Sequence, residues 1–384
     1  MANNNKHTGP NVPALRFPEF SGEWIESKLG DIADFSKGAG ISKDQRSEEG
    51  NPCILYGELY TRYKSEVITN VFSKTALPDS DLVKSKANDI IIPASGETAE
   101  DIATARCVPF DNILLGGDLN IIRLHEQDGK FFSYQLNGVR KYDIATVAQG
   151  VSVVHLHAGD LKGITVKYPS HIAEQEKISQ ILGLIDDRIA TQSKIIEEQE
   201  TLLKSLADKL FLQNNHSCQL SELVNIVKGK QINADTLSET GDYYVMNGGI
   251  TPSGYYSEYN VPAGAISISE GGNSCGYVQF NEKPFWSGGH CYSLQCRTNL
   301  VDYKYIYYYL KTKEADVMAL RIGSGLPNIQ KKDIEKFTIS YPSLQLQKQF
   351  VKALDALSGK INTEKNLLEK YCQQKSYLLS QMFI

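Results

Sequence analysis

The sequence predicts an α+β protein built twice over: two pseudo-repeated domains, each followed by a long helix, the two helices packing as an antiparallel coiled coil. Three observations carry this. Stretches of the first half recur, in the same order, in the second half. Both halves end in Tyr-Pro-Ser, at 168–170 and 341–343. After each junction, apolar residues fall at three- and four-residue steps, the spacing of one helical face. Ordered recurrence marks duplication, which has to be recognised before single elements are assigned.

The elements follow in order. The stretch 28–38 (KLGDIADFSKG) matches 219–229 (QLSELVNIVKG), and both end in Lys-Gly. Next, 114–124 (LLGGDLNIIRL) matches 286–296 (WSGGHCYSLQC), and the aromatic 131–137 (FFSYQLN) matches 305–311 (YIYYYLK), a core helix or strand. Last, 155–170 (HLHAGDLKGITVKYPS) matches 328–343 (NIQKKDIEKFTISYPS). Between them, β-branched runs such as Asp89-Ile-Ile-Ile and Ala265-Ile-Ser-Ile-Ser, set off by Gly- and Asn-rich turns, predict short strands in an irregular sheet. The chain divides into 1–168, 169–215, 216–342 and 343–384.

The first helix is expected over about 172–212, with Pro169 and Ser170 at its start, where Ser can cap free amides. At 1.5 Å per residue it would be roughly 60 Å long. The second is expected over about 346–382. Stripes this long exceed what one small domain covers, so the two helices are expected to pack on each other. The alternative, each helix docking on its own domain or on another protein, stays open. The seam or partner interface would use Ile178, Leu182, Ile185, Ile189, Ile196 and Leu203 from the first helix. Phe350, Leu354, Leu357, Ile361, Leu368 and Leu378 would serve from the second.

A chain of 384 residues, 41% hydrophobic and 22% charged, suits two or three domains with their own cores. No apolar run approaches the roughly 18–20 residues of a membrane span, and the start, MANNNKHTGP, lacks a signal-peptide pattern. Seven cysteines without a CxxC pair speak against disulfide scaffolding and structural zinc, and for a reducing cytoplasm. A net charge of −5 argues against coating nucleic acid by bulk charge but allows a local basic groove. Neither mixed domain is basic, which suggests that a partner contributes much of any grip on DNA.

Catalytic signatures are missing: no GxxxxGK[ST], no strand-linked GxGxxG, no HExxH, no GxSxG. Asn51-Pro52 resembles the start of an amino-methyltransferase motif, but Cys53 stands where a second Pro belongs, and a turn is expected there. His155 and His157 are expected on opposite faces of a strand, and so not to form a joint metal site. Glu97, Glu100 and Asp101 read as a solvated loop. No catalytic residue, metal or cofactor is expected in this chain.

Binding chemistry is richer. Glycine allows close backbone approach, while Asn, Ser, His and the basic residues can meet phosphates or base edges. In the first domain the candidates are Lys37, Lys43, Arg46, Tyr60, Arg62, Lys64, Ser95, Gly96, Thr98, Gly150 and His155. In the second they are Lys228, Lys230, Asn247, Gly248, Gly249, Tyr255, Tyr256, Gly271, Gly272, Asn273, Ser324, Asn328, Lys331 and Lys332. Tyr255, Tyr256 and Tyr259 are read as part of a Gly-rich loop available to DNA or a partner.

With these residues in view, the chain resembles the specificity subunit of type I restriction–modification systems. The likeness lies in the opening PALRFPEFSGEWIESKLGDI (13–32), in the two Tyr-Pro-Ser junctions, and in the IAEQEKI that follows the first. The second copy keeps Gln347 but has Leu346 where Glu174 stands. The resemblance implies two target-recognition domains, at 1–168 and 216–342, each reading one half of a bipartite asymmetric site in double-stranded DNA. It implies that the helix pair sets the gap and docks two methyltransferase subunits, with restriction subunits as further partners. S-adenosylmethionine, ATP and Mg would then belong to those partners, which methylate adenine or cleave DNA. An intracellular protein-binding scaffold and a stand-alone nuclease are the competing classes.

Overall fold

A computed structural model describes residues 11–78, 80, 82–150, 153–212, 215–323 and 325–384. The chain forms two compact units, 1–193 with 367–384, and 194–366.

Both units are built on one plan. In the first, a four-stranded antiparallel sheet runs in the order Ala33–Lys37, Leu119–Leu124, Asp89–Pro93, Arg106–Val108. In the second, the order is Val224–Lys228, Cys291–Cys296, Ala265–Ser269, Val278–Asn281. A three-stranded mixed sheet accompanies each: Ser73–Thr75, Asn51–Ile54, Leu114–Leu115 in one, and Tyr255–Tyr256, Tyr243–Met246, Phe285–Ser287 in the other. A two-stranded ribbon closes each unit, Ile25–Lys28 with Thr165–Tyr168 and His216–Gln219 with Thr338–Tyr341. The duplication read from four short matches therefore extends to strand order and pairing.

The matched sequences now have physical reasons. In 28–38 and 219–229 a single helical turn, Leu29–Ile32 or Leu220–Leu223, buries its leading leucine completely. The side chain of Asp31 accepts from Lys28 N at 3.3 Å, and that of Glu222 from Gln219 N at 2.8 Å, satisfying an amide at the start of each turn. The aromatic matches are helices, Gly129–Asn137 and Tyr303–Thr312, capped by Asp128 and Asp302. Each is tied to the long helix that follows it by a tyrosine hydroxyl donating to a carboxylate: Tyr134 to Asp186 at 2.7 Å, Tyr308 to Asp355 at 2.7 Å.

The long helices span Ile172–Phe211 and Leu344–Met382. Ser170 stands outside the first, contrary to its expected capping role, because the helix begins two residues later and Glu174 N bonds the His171 carbonyl. The shared glutamine does the joining instead. Gln175 donates to the Pro169 carbonyl at 3.0 Å and accepts from Asp128 N at 3.0 Å. Gln347 donates to the Pro342 carbonyl at 2.9 Å and accepts from Asp302 N at 2.7 Å. Each amide thus clamps junction, aromatic helix and long helix together. Leu346 replaces Glu174 without loss of this clamp; Glu174 itself is buried and pairs with Arg16 at 2.7 Å.

Within the first unit, Ile178 and Leu182 share a core with Trp24, Phe131, Met382 and Phe383. Farther along, Asp186 meets Lys375 at 2.6 Å, so the two helical segments run antiparallel. Within the second unit, Phe350 and Leu354 join Ala207, Phe211, Leu220 and Tyr305, while Lys365 meets Glu200 at 2.6 Å, again antiparallel. Ile185, Ile196 and Ile361 are buried; Ile189, Leu203, Leu357, Leu368 and Leu378 are half-buried. Helix pairing and docking on a domain, set against each other in the sequence reading, therefore occur together in both units.

Three local expectations are corrected. Asn51-Pro52 opens the central strand of a three-stranded sheet, not a turn. Part of the Glu97–Asp101 stretch is the short helix Ala99–Ile102, whose cap Thr98 accepts from Asp101 N at 3.1 Å. Tyr255 and Tyr256 form an edge strand paired with Tyr243 and Tyr244, leaving Tyr259 as the exposed member of the group.

Candidate nucleic-acid interface

In each unit the glycine-rich stretches, scattered in sequence, converge on one end of the four-stranded sheet. Lys228 ends its strand there, and Gly229 follows in contact with the Ser287-Gly-Gly turn. An added Cβ at Gly229 would stand 2.1 Å from the Gly288 carbonyl oxygen, so only glycine fits. The first unit repeats this: an added Cβ at Gly38 would stand 2.0 Å from the Gly116 carbonyl oxygen. This close approach is the reason for the paired Lys-Gly and Gly-Gly signatures.

Around this end of the second unit, Asn247 Oδ1 accepts from His290 N at 3.1 Å, and Lys230 N donates to the Ser287 carbonyl at 2.9 Å. Gly271 bridges Asn328, Gly272 N donates to the Pro327 carbonyl at 3.0 Å, and Ile329 N to the Glu270 carbonyl at 2.8 Å. Thus Lys228, Lys230, Asn247, Gly248, Gly249, Gly271, Gly272 and Asn328 are brought together, with exposed Asn273 in the next position. Tyr256 reaches them indirectly, its ring 5.2 Å from that of Trp286, whose indole N–H donates to the Lys230 carbonyl. Tyr255 lies on the paired edge, opposite Tyr244. Lys331 and Lys332 open the short helix Lys331–Glu335 after Ile329, Lys331 lying 3.7 Å from Glu335. Ser324 lies outside the described residues.

The first unit gathers Lys37, Ser95, Gly96, Gly150 and His155. Val154–His155 pairs with Ser95–Gly96, His155 and Gln149 exchange backbone bonds of 2.7 and 2.9 Å, and Leu156 N donates to the Ala94 carbonyl at 3.0 Å. The second unit has the same hairpin, Ile322 and Asn328 exchanging bonds of 2.9 and 3.0 Å. His155 and His157 are not on opposite faces. Their rings stack 6.4 Å apart, because residues two apart on extended backbone share a face.

Thr98 caps the helix beside this hairpin and Tyr60 lies near Glu97, while Lys43, Arg46, Arg62 and Lys64 lie elsewhere. Lys43 and Arg46 line a shallow depression of about 380 Å³ with Phe72 and Lys74. Arg62 pairs with Glu58 at 3.2 Å and covers the Phe72 ring, and with Lys64 it lines a groove of about 1120 Å³ that also exposes Lys130 and Asp187. Burial pushes the Tyr60 hydroxyl up, as do Tyr56, Asp101 and Glu97 nearby, so it stays a neutral donor.

The duplicated architecture finds its counterpart in known proteins. The family model for the type I restriction modification DNA specificity domain matches residues 21–201 and 214–370. The chain belongs to the type I restriction–modification DNA specificity family. It is 26% identical over 281 residues to S.MgeORF438P of Mycoplasma genitalium, named as a type I specificity subunit, an alignment covering 69% of this chain and 73% of that protein. The fold resembles the crystal structure of a type I restriction–modification S subunit from M. genitalium, with a TM-score of 0.72, 22% identity, and coverage of 97% of this chain and 99% of that one. It also resembles a chain from a structural study of complex assembly in the type I system, with a TM-score of 0.54, 15% identity, and coverage of 94% and 97%.

As a specificity subunit, the chain is the non-catalytic, sequence-recognising component of its system, with two recognition domains. Among the described residues, no group of three or more His, Cys, Asp or Glu is arranged to hold a metal ion. No helix among them is long and apolar enough to cross a membrane. Sequence reasoning singled out most of the converging glycines and placed Glu270 in a loop expected to approach DNA, but it missed Tyr292 and the pairing of Glu270 with Lys228 beneath the second candidate surface. Only the strand register brings Glu270 and Tyr292 to Lys228.

Proposed function

We propose that this chain directs a type I complex to a bipartite, asymmetric site in double-stranded DNA, each recognition domain reading one half with the glycine-lined end of its sheet. One observation carries the reading. The two ends share a backbone plan but differ in the side chains beneath it, Ala94 and Asn120 in one against Glu270 and Tyr292 in the other. One scaffold bearing two different surfaces suits a site with two different halves. The candidate residues at these ends supply phosphate contacts and base-edge contacts, and the helix pair carries the gap and the docking surface.

The partners in this reading are two methyltransferase subunits on pseudo-equivalent surfaces, joined by restriction subunits. They bring S-adenosylmethionine, ATP and Mg, and with them adenine methylation and ATP-dependent cleavage, in the cytoplasm. The chain contributes sequence choice alone, in keeping with its lack of catalytic motifs. Co-expression with its methyltransferase, followed by base-resolution mapping of methyladenine, tests this. One bipartite motif that disappears when the chain is omitted is expected; methylation unchanged by omitting the chain overturns the reading.

A further inference from the structure

Glu270 follows the strand Ala265–Ser269 at the converging end of the second domain and is only 4% exposed. Burying a carboxylate is costly unless it is paired and hydrogen-bonded. Here one oxygen is paired and the other is not. Glu270 Oε1 accepts from Lys228 Nζ at 2.6 Å and from the Tyr292 hydroxyl at 2.8 Å. Among the described residues Oε2 has no hydrogen-bond partner, and His290 Nδ1 stands 3.8 Å from it, beyond hydrogen-bond reach. Lys228 and His290 are themselves largely open, their side chains 54% and 59% exposed. A buried anion thus holds one exposed cation and faces a second donor, beneath the loops built from Asn247, Gly271 and Asn328.

Among the described residues, the first domain lacks this device. Lys37 pairs with Asn120 across the sheet as Lys228 pairs with Tyr292, and Ala94 receives the backbone bond that Glu270 receives. Ala94 brings no carboxylate to that position, and Asn120 spends its amide on the Leu156 carbonyl at 2.9 Å.

We infer that Glu270 is a positioning residue that fixes Lys228 against a backbone phosphate of the half-site read by the second domain. Resting on the reading above, this adds a device that, among the described residues, the first domain lacks. An ammonium held at a buried carboxylate keeps two further donors and loses less side-chain freedom on meeting a phosphate than a free lysine does. With its proton on Nδ1, His290 can donate to the idle oxygen, and closing the 3.8 Å gap lets it share in the clamp.

The sign of the effect makes the inference testable. If Glu270 were only a negative charge near DNA, removing it would tighten binding. If it positions Lys228, removing it weakens binding. The test uses the full chain in complex with its methyltransferase subunits and a duplex carrying the mapped site, with affinity measured across a salt series. Lys228→Met is expected to weaken binding about tenfold, the worth of one charge-assisted contact, and to lower the salt slope by about one. Glu270→Ala is expected to match it, and the double variant to be no weaker than either single one. Glu270→Gln, which keeps an acceptor for Tyr292 and Lys228, is expected to recover part of the loss and provides the variant if Ala disturbs folding. Affinity at or above wild type in Glu270→Ala, or losses that multiply in the double variant, overturns the inference while leaving the domain's role intact. A wild-type complex that does not prefer the mapped duplex overturns both.

Discussion

Lys375 illustrates what one residue carries in the first unit. Its ammonium lies 2.5 Å from Glu66 and 2.6 Å from Asp186, with all three side chains nearly buried, and the buried Arg106 guanidinium also acts on both carboxylates. Burial pushes the Glu66 carboxyl up against the pull of Lys375. Burial opposes the Lys375 charge, but Glu66 and Asp186 outweigh it and raise the ammonium above the ordinary lysine range. A carboxyl with a raised folded pKa adds stability below its unfolded value and loses that contribution as pH rises through the folded value. Removing its cation should therefore hurt most at high pH. Lys375→Met is expected to cost about 3–5 kcal/mol near neutrality. Urea unfolding at pH 8 and pH 5 should show the deficit shrinking on acidification; a deficit that grows would contradict this account. None of these partners was legible in sequence, since Glu66 and Lys375 are 309 residues apart. The pairing of Glu270 with Lys228 was hidden for the same reason, although Lys228 and Gly229 stood out because a local motif repeats.

At the scale of elements, the two glutamine clamps and the helix seam carry the argument. Gln175 and Gln347 are buried and each joins three elements through two hydrogen bonds. Gln175→Ala and Gln347→Ala should each cost about 1–3 kcal/mol by leaving buried backbone groups unpaired, measurable by urea denaturation. A loss below a few tenths would show that water replaces the amide. In the seam, Ile185→Asp buries an unpaired charge and should cost several kcal/mol, whereas Leu357→Asp, at a half-buried position, should cost less. Equal thermal shifts would contradict this burial order. The helices were legible because their 3.6-residue period survives over forty and thirty-nine residues. The edge strand at Tyr255–Tyr256 and the strand beginning at Asn51 were misread because each is too short to show a period and rests on distant partners.

For the whole molecule, the duplication read from 28–38 and 219–229 reaches strand order, capping and the glycine contacts. Its consequence is modularity, for each recognition domain contains its own sheet end and its own core. What the two sheet ends read was never legible, because base contacts depend on exposed side chains whose identity the fold does not constrain. The central claim, that one domain reads one half-site, is tested most directly by exchanging residues 24–168 for the first domain of another specificity subunit. The methyladenine map of the hybrid complex is then compared with those of its parents. The account predicts that one half of the bipartite motif changes to that of the donor while the other half is kept. A hybrid that methylates with both halves altered, or with neither altered, would contradict it.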